Sequence, residues 1–212
     1  MNLLSLLFSH PLVFLVFVLV FLVALSIHEA SHAFAAYLLG DMTAKRAKRL
    51  TLNPFAHIDW LGFLVLITVG FGWGKPVPFN PYNLKYPRWG PVLVAAAGPA
   101  SNFILGILFA FIFRFIAPIL GSGNLLVFFL QYGAYLSFLL GFFNLIPIPP
   151  LDGSKVLLAL IAHEKYRHAR FFIETRGTFL LLGFILLDTL FNIGIFSGLG
   201  AFATGFFHLI AG

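Results

Sequence analysis

The feature that most constrains this chain is an apolar stretch from Leu12 to Leu39 that carries ionisable side chains near its C-terminal end. A helix needs about 20 apolar residues to cross the hydrocarbon core of a bilayer, and this stretch is longer than that. The ionisable side chains are those of His28, Glu29 and His32. A charged group at the centre of a membrane helix costs roughly 2.5–3.5 kcal/mol, so an interaction of these side chains must offset that cost.

Composition predicts an α-helical polytopic membrane protein. Of the 212 residues, 60% are hydrophobic and only 9% are charged, whereas soluble domains carry about 25% charged residues. The net charge of +6 comes from basic residues grouped between apolar stretches. That pattern is typical of membrane orientation and argues against a nucleic-acid partner. The chain has no cysteine, which excludes disulfides and thiolate metal ligands.

Further apolar stretches predict a bundle of about 4–6 transmembrane helices. The C-terminal tail, residues 199–210, is short and interrupted by glycine. Three positions remain open for it: a span, a partial insertion into the membrane and a location on the membrane surface. We expect one membrane-embedded domain over residues 1–212, with a catalytic core at about 12–160 and C-terminal helices at about 174–212. Besides the first stretch, the candidate spans are Pro91–Pro118, Leu125–Leu145 and Thr178–Phe196, and the tail is Leu199–Ile210.

The stretch Trp60–Trp73 is apolar but short for a crossing, and it is rich in glycine. We expect a re-entrant or short β element here, between the first two core helices. The positive-inside rule supports this interpretation. It places the basic segments 45–49 and 155–176 in the cytoplasm and the neutral turn 121–124 outside, which requires residues 60–73 to enter and leave on one side.

The sequence HEASH at residues 28–32 indicates a metal site. In a helix, His28 and His32 lie on one face about one turn apart and can bind one zinc ion, with Glu29 beside them as a general base. The alternative is a set of buried polar groups that hydrogen-bond and hold helices together. A second segment, HEKYRH at residues 163–168, spaces its histidines five apart and is interpreted as a solvated basic surface.

A catalytic zinc site takes three protein ligands, and Asp152 is the favoured third. It lies in NLIPIPPLDGSKV, directly after the Leu125–Leu145 stretch, where prolines break the helix. The expected topology places Asp152 at the same membrane depth as the two histidines. A set of two histidines and one aspartate suits zinc best, although it does not exclude cobalt or iron.

Three motifs give the chain a close resemblance to the site-2 protease family of intramembrane metalloproteases, peptidase family M50. HEASH resembles that family's HExxH, NLIPIPPLDG resembles its second signature, and AGPASN (97–102) resembles a third motif. The resemblance spans about residues 20–160. The sequence resembles a compact form without a PDZ-like insert or a nucleotide-binding tail. The resemblance implies one zinc ion per chain bound by His28, His32 and Asp152. It also implies that Glu29 is the catalytic base and that substrate binding is shaped by Asn144, Pro147 and Pro149.

The same resemblance implies cleavage of peptide bonds within or near transmembrane segments of substrate proteins, in a prokaryotic cell membrane. The partners would be those substrates and the lipid bilayer; the oligomeric state stays open. Asn102 or Asn144 is a candidate oxyanion donor, with a helix–helix hydrogen bond as the equal alternative. Residues 68–79 are a candidate β edge for an unwound substrate. His57 is expected to be a satisfied interfacial histidine, with a role near the site as the alternative.

Two other classes of protein remain open. Intramembrane histidines and carboxylates also mark the pathways of metal-ion transporters, but transporters often contain repeats with matched broken helices. This chain has one proline-broken helix end and no visible counterpart. A catalytically silent scaffold would tolerate the loss of Glu29, which a protease would not.

Overall fold

The computed structural model describes residues 3–70 and 72–212, except for the side chain of residue 189. The described chain is mainly helical, and short 3-10 turns lie at Pro54–Ala56, Pro81–Asn83 and Glu164–Tyr166. The helices are α1 Leu3–Ser9, α2 Pro11–Leu38, α3 Thr43–Arg46, α4 Trp60–Val69, α5 Gly90–Leu120, α6 Leu125–Asn144, α7 Gly153–Leu160, α8 Arg167–Phe191 and α9 Ile195–Ala211.

Three helices, α2, α5 and α6, are long and apolar enough to cross a membrane. The chain is therefore an α-helical membrane protein, with fewer such helices in its described part than the expected 4–6. The expected span Thr178–Phe196 is the main difference. Helix α8 begins with the charged residues of its first turns and ends at Phe191, where Asn192 takes a left-handed conformation. Its apolar part is then shorter than the roughly 20 residues of a span.

The three long helices form the centre of the bundle. Helices α5 and α6 are antiparallel: the ring of Phe103 packs edge-on against Phe142, and Phe109 packs against Phe129. Helix α2 runs in the same direction as α6, with Phe17 against Tyr132 near their starts. Small residues on the contact faces let the helices approach closely, as is usual in membranes. Buried examples are Ala24, Ala110, Ala134, Gly106 and Gly133.

Helix α9 lies alongside α5 and α6. Phe207 packs against Phe113 of α5, and Phe206 packs against Phe142 of α6. The buried carboxylate of Asp188 caps the start of α9, since its Oδ1 accepts a hydrogen bond from Ile195 N at 2.7 Å. The C-terminal tail therefore folds back onto the bundle, and this helix of 17 residues is shorter than a typical span.

The expected β element between the first two core helices is absent from the described residues. Its place is taken by α4 and a returning segment, joined by one antiparallel bridge between Ile58 and Gly74. Residue 71 lies outside the described part of the chain. The proposed edge at residues 68–79 is therefore wrong at its start, because residues 68–69 belong to α4. Gly70 ends that helix with a φ of 85°, a conformation that favours glycine.

A buried carboxylate fixes the chain at the end of α2. Asp41 is fully buried and accepts hydrogen bonds from Thr43 N, Thr43 Oγ1, Asn80 N and Asn83 Nδ2. Burial alone raises the pKa of Asp41, but these hydrogen bonds outweigh it and the pKa lies below its ordinary value. The contacts join the end of α2 to the loop that returns toward α5.

Candidate metal centre

Helix α2 places the two histidines of HEASH side by side in the bundle. The Nε2 atoms of His28 and His32 are 3.0 Å apart, and their rings meet edge-on with centroids 4.6 Å apart. Both side chains are buried, as is Glu29 between them. The spacing of one helical turn therefore brings two ring nitrogens to one point.

The loop after α6 brings Asp152 to the same point. Its Oδ2 lies 3.2 Å from His28 Nε2 and 3.3 Å from His32 Nε2. The loop folds tightly, and a Cβ on Gly153 would collide with the carbonyl group of Leu145, so only glycine fits after the aspartate. Side chains 120 residues apart in sequence thus converge.

The three ligand atoms fit a zinc ion. Tetrahedral zinc with nitrogen and oxygen ligands at about 2.0–2.2 Å sets its ligand atoms about 3.3–3.5 Å apart. The observed separations of 3.0, 3.2 and 3.3 Å are close to that spacing. Oδ2 of Asp152 is buried and has no well-formed hydrogen bond to any described group. A buried carboxylate oxygen facing two ring nitrogens is the donor set that a metal cation satisfies.

Hydrogen bonds from outside the donor set orient both rings. His32 Nδ1 donates to the carbonyl oxygen of Val94 at 2.8 Å, so its Nε2 presents a lone pair. His28 Nδ1 lies 3.1 Å from the amide nitrogen of Asn102, whose Oδ1 is buried without a partner. If the Asn102 amide is flipped by 180°, its Oδ1 accepts a hydrogen bond from Nδ1 of His28, and Nε2 of His28 then carries a free lone pair. Such partners set the tautomer of metal-binding histidines.

Gly98 of AGPASN makes room for both rings. A Cβ at this position would lie 2.6 Å from Cε1 of His28 and closer still to Nε2 of His32. Helix α5 can therefore approach the site only because residue 98 has no side chain. The third motif thus contributes two contacts to the site, the space at Gly98 and the amide of Asn102.

The general-base candidate has a backbone partner. Oε2 of Glu29 accepts a hydrogen bond from Val77 N at 3.2 Å, which brings the returning segment after α4 beside the site. That segment is held by the buried side chain of Arg49, which donates to the carbonyl oxygen of Lys75, and by the backbone carbonyl of the fully buried His57, which accepts from Lys75 N. The ring of His57 is satisfied by Thr51 and Arg49, as expected, and its role near the site stays a prediction.

The remaining predicted residues lie outside the donor set. Asn144 Nδ2 donates within its own helix to Leu140 O at 3.0 Å, and Pro149 packs against Gly177 of α8. Pro147 and Pro149 belong to the loop that carries Asp152. The roles of Asn144, Pro147 and Pro149 in substrate binding stay predictions.

Sequence reasoning missed Arg49. The sequence predicts an exposed basic segment at residues 45–49, whereas the structure buries the side chain of Arg49 to 6% exposure. The signal that distinguishes it is weak: it is the last basic residue of the segment and directly precedes the apolar–polar sequence LTLNP. Its neighbours Arg46 and Lys48 are exposed, as a basic surface segment predicts.

Comparisons with known proteins give a consistent result. The chain is 40% identical to YwhC of Bacillus subtilis over 153 residues, which cover 68% of each protein. It is 33% identical to Rip2 of Mycolicibacterium smegmatis over 70% of this chain and 58% of that protein. It is 30% identical to MJ0611 of Methanocaldococcus jannaschii over 71% of this chain and 75% of that protein. Each of the three is named a "Putative zinc metalloprotease". No solved structure matches significantly.

The family comparison covers most of the chain. The model of peptidase family M50 matches residues 16–187, a range that contains HEASH, AGPASN and the loop with Asp152. It also contains α5 and α6 and all but the first five residues of α2. The chain belongs to peptidase family M50.

Proposed function

We propose that this protein is an intramembrane zinc endopeptidase that hydrolyses peptide bonds within or near transmembrane segments of other membrane proteins. The observation that carries the proposal is the convergence of His28, His32 and Asp152 beside Glu29, inside a bundle of apolar helices. The names of the related proteins support zinc as the metal.

In this proposal His28 Nε2, His32 Nε2 and Asp152 Oδ2 would hold one zinc ion per chain. The ion would supply Lewis acidity and lower the pKa of water to about 7. Glu29 accepts a proton from the attacking water, whose oxygen forms a bond with the peptide carbonyl carbon. The carbon–nitrogen bond then breaks, and Glu29 passes the proton to the departing amine. The backbone hydrogen bond from Val77 fixes the carboxylate during both transfers.

We propose that the site opens to the cytoplasmic half of a prokaryotic cell membrane. Helices α2 and α6 run in the same direction, and the site lies near the C-terminal end of both. The basic segment 45–49 follows α2, and the basic residues at 155–176 follow α6. The positive-inside rule favours the cytoplasm for that end of the bundle.

A transmembrane substrate must unwind before its peptide bonds can be attacked, and its freed backbone groups then need partners. We propose that the returning segment 72–79 provides such partners, together with Asn144, Pro147 and Pro149 in and before the loop of Asp152. Backbone bonds from residues 75–77 to His57, Arg49 and Glu29 fix the segment beside the site, so other backbone groups of the segment would serve the substrate. Asn102 is better placed to orient His28 than to stabilise an oxyanion, since its amide faces that ring.

The test uses purified protein in liposomes with a fluorescent reporter that contains a transmembrane helix. We expect Glu29→Gln to retain zinc and to lose cleavage by at least 100-fold, because a general base contributes roughly 10²–10⁴. Glu164→Gln is the control, since that side chain is exposed on the surface. Unchanged cleavage by Glu29→Gln would remove the assigned base, and zinc flux into substrate-free liposomes would favour a transporter.

A further inference from the structure

Arg49 is a buried cation that donates to two backbone carbonyls and to the ring of His57. Its NH2 group donates to the carbonyl oxygen of Lys75 at 2.5 Å, and its NH1 group donates to that of Pro76 at 3.2 Å. The side chain is only 6% exposed and forms no ion pair within the described residues. A buried arginine needs hydrogen-bond acceptors for its N–H groups. Here the planar guanidinium donates to two consecutive backbone carbonyls.

The second carbonyl connects Arg49 to the site. The carbonyl of Pro76 and the N–H of Val77 belong to one planar trans peptide group, so they point in opposite directions. The oxygen of this group accepts from Arg49, and its N–H donates to Oε2 of Glu29 at 3.2 Å. One peptide group thus bridges a buried cation and the carboxylate of the proposed base. When a peptide group forms hydrogen bonds at both its oxygen and its N–H, each bond polarises the group and strengthens the other hydrogen bond.

His57 supports the arrangement from the other side. Its Nε2 donates to the carbonyl oxygen of Thr51 at 2.8 Å, which leaves Nδ1 to accept from Arg49 NH2 at 3.4 Å. Its own backbone carbonyl accepts from Lys75 N at 2.8 Å. The segment is therefore held at residues 75 and 76 by the buried side chain of Arg49 and by the backbone bond from Lys75 to His57, while the ring of His57 contacts Arg49. Val77, the next residue, contacts Glu29.

We infer that Arg49 is a positioning residue for Glu29 and acts through the peptide group that joins Pro76 to Val77. The inference rests on the proposed function, in which Glu29 is the base. Arg49 holds that peptide group by its oxygen, so that its N–H stays directed at Oε2. The carboxylate then keeps one orientation toward the attacking water.

The first test compares variants in the liposome cleavage assay, with zinc content and melting temperature measured on each sample. We expect Arg49→Gln to lower kcat by 10–100-fold, as partners of this kind typically do, with KM and zinc content unchanged. Arg49→Lys keeps the charge but lacks the planar fork that is directed at both carbonyls, so it shows a loss of similar size. Arg46→Gln removes the same charge from an exposed side chain and leaves kcat unchanged.

The second test separates positioning from general stability. Val77→Pro deletes the N–H that contacts Glu29 and leaves Arg49 in place. If Arg49 acts through that N–H, the double variant with Arg49→Gln loses no more kcat than Val77→Pro alone. The inference would be overturned if the fold-loss of kcat in the double variant equalled the product of the two single losses. It would also be overturned if Arg49→Lys kept full activity. If the wild type and Arg49→Gln cleave the reporter equally well, the inference about Arg49 is overturned and the proposed function stands. If the wild type itself does not cleave, the proposed function is refuted.

Discussion

The rings of His28 and His32 occupy the space that a side chain at residue 98 would need. We therefore expect Gly98→Ala to displace the imidazoles, since overpacking a close contact costs about 1–3 kcal/mol. The variant should lose most of its bound zinc, measured by metal analysis of the purified protein. Gly205→Ala is the matched control, because a Cβ on that helical glycine meets nothing within 4 Å. Full zinc content in Gly98→Ala would contradict the described packing.

Asp41 tests the structure at a residue outside the site. Its carboxylate accepts four hydrogen bonds while fully buried, and hydrogen bonds to a charged group contribute about 1.5–3 kcal/mol each. We expect Asp41→Asn to lower the free energy of unfolding by about 2 kcal/mol or more at pH 7. Unfolding midpoints in detergent measure the loss, with Glu164→Gln as an exposed control that leaves the midpoint unchanged.

The same carboxylate makes part of the stability depend on pH. The pKa of Asp41 is lower in the folded protein than in the unfolded chain, so folding favours the ionised form. Its contribution is complete above the unfolded value of about 3.9 and disappears as the pH falls through the lower folded value. The stability difference between wild type and Asp41→Asn should therefore shrink below about pH 4. A difference that is constant down to pH 2 would contradict this assignment.

At the scale of elements, α4 and the returning segment depend on glycine contacts. A Cβ on Gly62 would lie 2.9 Å from Cδ1 of Trp73 and would also collide with the backbone of that residue. We expect Gly62→Ala to lower the free energy of unfolding by about 1–3 kcal/mol through overpacking. Gly183→Ala is the control, since its added methyl group meets open space. Equal unfolding midpoints for the two variants would count against the close return of residues 72–74 onto α4.

Elements differ in how far the sequence alone predicts them. The bounds of α2, α5 and α6 were predicted to within two residues, because the length of an apolar run is a local property. The span Thr178–Phe196 was wrong because Asn192 ends α8 early and Asp188 caps a new helix. The β element was wrong because the apolar run at residues 60–69 forms a helix, and periodicity alone does not separate short strands from short helices.

The residues of the site also differ in how far the sequence alone predicts them. The pairing of His28 with His32 and the choice of Asp152 followed from a helical repeat and from a proline-broken helix end. The contacts of Asn102 and Arg49 did not follow, because each joins segments that only the packed bundle brings together. Asn102 lies 74 residues from His28, and no local pattern encodes that distance.

At the scale of the whole molecule, the proposed orientation can be mapped directly because the chain contains no cysteine. Single cysteines replace Gly123, Arg46 and Lys165, which are exposed in the structure. A membrane-impermeant maleimide applied to intact cells should label Gly123→Cys only. Labelling of Arg46→Cys and Lys165→Cys should require permeabilised cells. Labelling of all three in intact cells would contradict the proposed sidedness.

The central claim is that His28, His32 and Asp152 together bind one zinc ion. The most direct measurement is the zinc content of the purified protein, combined with X-ray absorption at the zinc edge. We expect one zinc per chain with two imidazole nitrogens and carboxylate oxygen at about 2.0–2.2 Å. Asp152→Ala should lose that zinc, and Asp59→Asn, whose carboxylate caps α4, should keep it. An undiminished zinc content and an unchanged spectrum in Asp152→Ala would contradict the claim.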